Sequence, residues 1–138
     1  MLLAFAATAG WVLWEQGLAP TDVRGRAAVA VKRLGQYAGV FPVGRPRALT
    51  LQGRHEWLLG KHAAAFRSWH RALASAQQLS MVYEEGLAHY EIGRHLDPED
   101  GSRAGHIDEA RSIFSRINAS QALAALELAA VVGGVLTG

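Results

Sequence analysis

The chain has 138 residues, half of them apolar, and its 14 Lys and Arg against 12 Asp and Glu give a formal charge of +2. This size fits one domain that buries roughly two thirds of its unfolded surface. The absence of cysteine excludes disulfides and thiol chemistry and fits a reducing, cytoplasmic compartment. No basic block is long enough to follow a phosphate backbone, so we expect no nucleic-acid partner.

Residues 1–14 carry no charge and could be mistaken for a targeting segment. A secretory signal needs a basic residue before its apolar run and a small-residue cleavage site after it, and a membrane span needs about 20 apolar residues. Neither condition is met, because no Lys or Arg precedes the run and Glu15 ends it. We therefore predict a buried helix here and no membrane partner. The alanine-rich stretch 119–136 is interpreted in the same way, as a terminal packing helix.

Helical periodicity dominates the rest of the chain, and strictly alternating strand patterns are missing. Breaker residues divide the sequence into about seven segments, which predicts an all-α fold of at least five antiparallel helices. The breakers are residues 17–21, 39–46, 60, 79–80, 97–102 and 118. Thr21, Ser80 and Asn118 are expected to cap the helices that follow them, the last with Gln121 in a capping box.

Two helix pairs share one spacing. Gly60 is followed by Ala65, Trp69 and Ala72 at steps of five, four and three, and Gly105 is followed by Ala110, Phe114 and Ile117 at the same steps. An earlier glycine, Gly53 or Gly93, begins each pair. Small residues let helices cross closely, and an aromatic residue one turn further fills the space between hairpins. We therefore predict that Ala65, Trp69, Ala72, Ala110 and Phe114 are buried between helices.

This glycine, alanine and aromatic spacing resembles the tetratricopeptide repeat, whose helix pairs stack into a right-handed solenoid. The run YEEGLAHYEIGRHL (83–96) with GHIDEARSIF (105–114) is similar to the C-terminal helical region of large bacterial signalling proteins. Those proteins combine a class III adenylate or guanylate cyclase domain, or a Ser/Thr kinase domain, with an ATPase domain. The resemblance covers residues 44–130 and implies a tetratricopeptide-like α-solenoid over 44–138, preceded by a degenerate repeat in 1–43.

A direct search for chemistry finds no catalytic, cofactor-binding or metal-ligating set. The stretch from Gly53 to His62 fails the phosphate-loop spacing and lacks its hydroxyl residue. No histidine pattern typical of metal proteins is present. Glu85 with His89, and Glu91 with His95, are each four residues apart, a spacing that surface ion pairing on a helix explains. We therefore predict that the chain is not an enzyme and needs no cofactor.

The tryptophans and one basic face have ordinary structural interpretations. Trp69 and the other tryptophans fall at core-compatible spacing, although Trp57 is also placed to line a groove. The remaining two are Trp11 and Trp14. The basic residues of the second predicted helix favour a solvated surface over a membrane or nucleic-acid footprint. They are Arg24, Arg26, Lys32 and Arg33.

Two functional hypotheses remain. The first is a scaffold module for signal transduction that binds a protein, a peptide or other domains of a parent polypeptide. The alternative is the C-terminal regulatory segment of an adenylate or guanylate cyclase or an ATPase. If first helices line a concave face, Arg54 and Arg94 face inward and suit a carboxylate, because arginine offers a planar fork of donors. The predicted partner-binding residues are Thr50, Arg54, Trp57, Tyr90 and Arg94.

Overall fold

A computed structural model describes residues 23–137, and this part of the chain is all-helical and without strands. The helices are α1 (Val23–Val40), a 3₁₀ turn (Pro42–Gly44), α2 (Arg45–Leu58), α3 (His62–Gln78), α4 (Val82–His95), α5 (Arg103–Arg116) and α6 (Ser120–Thr137). The all-α prediction is confirmed for this range. Residues 1–22, with the expected buried helix, Trp11, Trp14 and the Thr21 cap, lie outside it.

Three helices end in residues with left-handed backbone conformation. Gly60 has φ of +81°, Ser80 has φ of +55° and Asn118 has φ of +58°. A residue in this conformation after the last helical turn brings later amide groups back to the final carbonyls. The amide of Ala119 accordingly donates to the Phe114 carbonyl at 2.8 Å. The predicted N-caps at Ser80 and Asn118 are therefore wrong, because these residues close the preceding helices.

The described chain divides into two compact units, residues up to Ser68 and residues from Trp69 onward. In the first unit, α1 packs on the 3₁₀ turn and α2. Its core contains buried alanines from α1 and a buried leucine from α2, with partly buried aliphatic residues around them. The core residues are Ala27, Ala30 and Leu51, surrounded by Val31, Leu34 and Leu58. Small side chains on α1 thus let it lie close to α2.

The second unit is built on the α4–α5 pair, which crosses closely at two glycines. A Cβ placed on Gly86 would lie 2.6 Å from the Phe114 ring, and one on Gly93 would lie 2.8 Å from Ile107. The earlier glycine on α4 faces a residue near the end of α5, and the later glycine faces a residue near its start. The two helices are therefore antiparallel. Helix α6 then packs on α5, where Leu126 is fully buried. This arrangement confirms an antiparallel hairpin in the second unit.

The repeated spacing predicts burial correctly at five positions. Ala65, Trp69, Ala72, Ala110 and Phe114 are all fully buried. The two segments differ at their ends, however. Ile117 is 40% exposed although its counterpart Ala72 is fully buried. Gly60 ends a helix, whereas Gly105 lies in the first turn of α5 with no atom near its absent side chain.

A helix that crosses a bilayer needs about 20 consecutive, predominantly apolar residues. No helix within residues 23–137 is both long and apolar enough to span a membrane. The C-terminal helix α6 contains Glu127, whose carboxylate accepts hydrogen bonds from Arg111 on α5. This ion pair ties the flank of α6 to its neighbour.

Candidate functional site

Three of the predicted groove residues lie on α2 in the first unit. Thr50 is buried, while Arg54 and Trp57 are half-buried. The Trp57 indole stacks on the His62 imidazole with ring centroids 3.8 Å apart, and the edge of Phe66 meets it at 5.7 Å. Trp57 therefore takes part in an aromatic cluster at the α2–α3 turn, which limits the ring face that a ligand could reach.

The other two predicted groove residues, Tyr90 and Arg94, lie one turn apart on α4 in the second unit. The Arg94 guanidinium carbon lies 5.3 Å from the centre of the Tyr90 ring. Its Nε donates to the Glu91 carboxylate at 3.0 Å. Arg94 is thus bound within its own helix. A single groove that holds all five residues stays a prediction.

Glu91 is the centre of a buried polar network in the second unit. It is only 4% exposed, and its carboxylate lies 3.0 Å from Arg94 and 3.5 Å from His95. The His95 ring stacks on the fully buried Trp69 at 4.5 Å. Burial of a carboxylate is costly unless charged or hydrogen-bonding partners compensate it. The predicted surface location of the Glu91–His95 pair is wrong, since the pair forms but lies inside the unit.

A second polar group brings three histidines together, and the sequence pattern did not predict it. The Nδ1 atoms of His89 on α4 and His106 on α5 are 2.9 Å apart. The His70 ring, on α3, meets the His106 ring edge-on at 6.0 Å. We call His70, His89 and His106 the histidine cluster. Their separations of 17 and 19 residues leave no local signal, because only the crossing of helices brings them into contact.

Burial lowers the pKa of two members of this cluster, His89 and His106. Desolvation lowers the pKa of His89, against the opposing effect of the carboxylates of Glu109 and Glu85. Desolvation also lowers the pKa of His106, and the neighbouring His89 and His70 lower it further. At a separation of 2.9 Å one Nδ1 must donate and the other accept, so the contact requires at least one neutral ring.

The histidines invite a metal interpretation, which the geometry does not favour. Within residues 23–137, no three or more histidine, aspartate or glutamate side chains are arranged to hold a metal ion. Two nitrogens at hydrogen-bonding distance are also closer than two ligands of one tetrahedral zinc, whose bonds are each about 2.0 to 2.1 Å long. The cluster is better described as a hydrogen-bonded, titratable pair with a third ring beside it.

An exposed apolar surface occupies the α1–α2 connection of the first unit. We define the apolar corner as Tyr37, Val40, Phe41 and Val43, each at least half exposed. Val40 is 71% exposed, and the Tyr37 and Phe41 rings touch with centroids 4.9 Å apart. Isolated exposed apolar residues are common, whereas larger contiguous apolar patches are typical of interaction surfaces.

A different apolar surface lies on α6 in the second unit. The inner side of this helix buries Leu126, with Leu123 and Ala130 partly buried beside it. The opposite side exposes Leu128 by 67% and Val131 by 61%. We define the outer stripe as Ala124, Ala125, Leu128 and Val131, which are all exposed at helical spacing. Helix α6 thus has two apolar sides, of which the α4–α5 pair covers one.

The two units also differ in charge. Residues 23–68 carry nine Arg and Lys and a single acidic residue, Glu56. Residues 69–138 carry nine Asp and Glu against five Arg. The small net charge of the chain therefore hides a basic first unit and an acidic second unit. The basic residues Lys32 and Arg33 on α1 are exposed, as the sequence predicted for this face.

No protein-family model matches the chain, and no curated protein or solved structure matches it either. The functional proposals below therefore rest on the surfaces and contacts of the chain itself.

Proposed function

We propose that this chain is a non-catalytic, tetratricopeptide-like helical module of the cytoplasm that binds other proteins or other domains of one polypeptide, in a signalling context. The observation that carries the proposal is the outer stripe of α6. A helix that buries one apolar side and exposes another has room for a further helix. The spacing shared by the two helix pairs supports the repeat interpretation.

The geometry of the stripe indicates the type of partner. Its residues lie at steps of three and four, so a second helix packing on them would follow the ridges and grooves of α6. Leu128 and Val131 provide the large side chains, and Ala124 and Ala125 allow close approach. Glu127 lies at the edge of the stripe and is held by Arg111. An amphipathic helix with an apolar face is therefore the expected ligand.

Partner capture with the full chain as bait tests this function. The stripe variant, Leu128→Gln with Val131→Gln, keeps good helix formers on α6 and removes the exposed apolar surface. We expect it to lose a specific partner that the unchanged chain retains. The matched control is a corner variant, Phe41→Ser with Val43→Ser, which removes as many exposed apolar residues from the first unit. A partner retained equally by both variants would contradict the assignment to α6.

The groove residues need a more careful test. Arg54→Ala should weaken the binding of an acidic ligand, and such binding should fall steeply as salt is raised. Arg94→Ala also removes the ion partner of the buried Glu91, so its effect on folding must be measured beside binding. If a captured partner binds both variants with unchanged affinity, these arginines do not contribute to the site.

The regulatory alternative uses the same surface. If the chain is a segment of a cyclase or ATPase polypeptide, the stripe would pack on a helix of that polypeptide. A movement of α6 would then be transmitted to the enzyme domain through this contact. Genomic context separates the two hypotheses, because an upstream cyclase or ATPase reading frame in phase with Met1 favours the regulatory role. A free-standing gene favours the binding module.

A further inference from the structure

We propose that the first unit has a second interaction surface, in which the apolar corner and its basic flanks bind the surface of a membrane that contains anionic lipid. This inference goes beyond the proposed module function and does not depend on it. It concerns attachment to one face of a bilayer, which requires no spanning helix. The sequence pattern predicted a solvated role for the basic face and no membrane partner. The observation that changes this interpretation is the exposure of the adjacent corner, which depends on the fold.

The apolar part of the surface is placed at a chain reversal. Helix α1 ends at Val40, the 3₁₀ turn follows, and α2 begins at Arg45. Since α1 packs back on α2, the four corner residues lie at the end of this helix pair and not along its sides. Such a corner can enter the headgroup region without unfolding either helix. Tyr37 is well suited to that depth, because its ring is apolar and its hydroxyl group is polar. Phe41 adds a wholly apolar ring beside it.

The corner is held in one conformation before it meets a ligand. The Tyr37 ring lies over Gly44, where an added Cβ would come within 2.7 Å of it. The Gly44 amide donates to the Phe41 carbonyl at 2.9 Å. Pro42 begins the 3₁₀ turn, and the buried Pro46 follows at the start of α2. A rigid, exposed apolar surface loses little conformational entropy on binding.

Charge favours an anionic bilayer as the occupant. Lys32, Arg33 and Arg45 are exposed on both sides of the corner in sequence. No Asp or Glu occurs between residues 23 and 55, so this stretch carries only positive formal charges. The next acidic residue, Glu56 near the end of α2, accepts a hydrogen bond from Ser68. Apolar insertion combined with several basic residues is the combination that anchors peripheral proteins to anionic leaflets.

A bilayer is also a better fit than an acidic protein. A protein partner needs a surface complementary in shape to a protruding corner, whereas a bilayer accepts apolar side chains of any outline. The basic residues need only phosphate or carboxylate groups in a layer around the inserted side chains. An acidic protein therefore becomes the rival outcome of the test.

Vesicle sedimentation with the full chain tests the proposal. We compare vesicles of phosphatidylcholine alone with vesicles that also contain roughly 30% phosphatidylserine, as in an anionic leaflet. The expected result is binding at least about tenfold tighter to the anionic vesicles. The corner variant, Phe41→Ser with Val43→Ser, should lose about tenfold or more of that affinity. Lys32→Gln and Arg33→Gln should each lose about fivefold.

The stripe variant, Leu128→Gln with Val131→Gln, is the matched control. It removes two exposed apolar residues from the acidic second unit, and its vesicle binding should equal that of the unchanged chain. Helical circular dichroism and thermal melting establish that every variant is folded. A negative result in the vesicle experiment would not contradict the proposed module function, because that function is tested with variants of α6.

Three results would overturn the proposal. One is equal binding to neutral and anionic vesicles, and another is full binding by the folded corner variant. The third is corner-dependent binding of soluble polyglutamate without any binding to anionic vesicles, which would make the surface an acidic-protein site.

Discussion

The two units place their aromatic residues and charges in opposite ways. In the first unit, Tyr37 and Phe41 touch each other at the surface, among exposed basic residues. In the second unit, Trp69 and Phe114 are fully buried, and a carboxylate is buried with them. Both units are made of similar helices joined by short turns. At the α4–α5 crossing an aromatic residue forms core, whereas the aromatic pair at the α1–α2 reversal stays exposed. A reversal alone does not decide this, because Trp57 at the α2–α3 turn is half-buried against His62.

The largest expected effect tests the core role of Phe114. Replacing it with alanine removes a fully buried ring that touches the glycine face of α4, and we expect a loss of about 3 to 5 kcal/mol in the free energy of unfolding. The matched change in the first unit, Tyr37→Ala, should cost less than about 1 kcal/mol, because that ring is half exposed. Urea unfolding measures both. Equal losses would remove the contrast between the two units.

An intermediate loss of stability is expected from a variant that tests the close crossing of α4 and α5. Gly86→Ala should destabilise the chain by about 1 to 3 kcal/mol, because the new methyl group overlaps the Phe114 ring. Gly105→Ala is the matched control, since it also lies within a helix but has open space around it. That change should be neutral or stabilise by up to about 1 kcal/mol through helix propensity. Thermal melts in which Gly86→Ala is as stable as Gly105→Ala would contradict the close approach.

A smaller effect concerns pH and the histidine cluster. Desolvation lowers the pKa of His89 and of His106 from the ordinary value of 6.5. Below pH 6.5 the unfolded chain therefore binds more protons than the folded protein. The contribution of these histidines to the free energy of unfolding is therefore fully present above pH 6.5 and decreases as the pH falls below that value. The slope is at most about 1.4 kcal/mol per pH unit for each histidine.

Variants at two histidines isolate this pH dependence. His89→Gln keeps a polar partner for His106 but removes the titrating pair. Its stability should therefore change less than that of the unchanged chain between about pH 7.5 and about pH 5.5, a range that brackets the ordinary histidine pKa. His106→Gln, which removes the other member of the pair, should likewise show a smaller change than the unchanged chain. Urea titrations at several pH values provide the measurement. An unaltered slope in His89→Gln would show that the cluster does not set the acid sensitivity.

The functional residues were predictable to different degrees. Tyr90 and Arg94 meet because they are four residues apart on one helix, a relation that the sequence displays directly. His89 and His106 meet only because α4 and α5 run antiparallel in one particular register. The four-residue spacing correctly predicted that Glu91 pairs with His95. The burial of this pair depends on the tertiary packing of Trp69 against the His95 ring. Pair spacing within a helix is thus visible in sequence, but the face that becomes interior is not.

The sequence by itself determined the helical class, the positions of the turns and the burial of Ala65, Trp69, Ala72, Ala110 and Phe114. These depend on local causes: breaker residues stop helices, and the spacing of small, aromatic and other apolar residues at helical steps is a property of the sequence itself. Only the tertiary structure decided that Ser80 and Asn118 end helices, that Gly105 has open space, and that the histidine cluster exists. It also decided that, among residues 23–131, the corner and the stripe are exposed. Each of these depends on the register and direction in which separate helices pack, which no local pattern specifies.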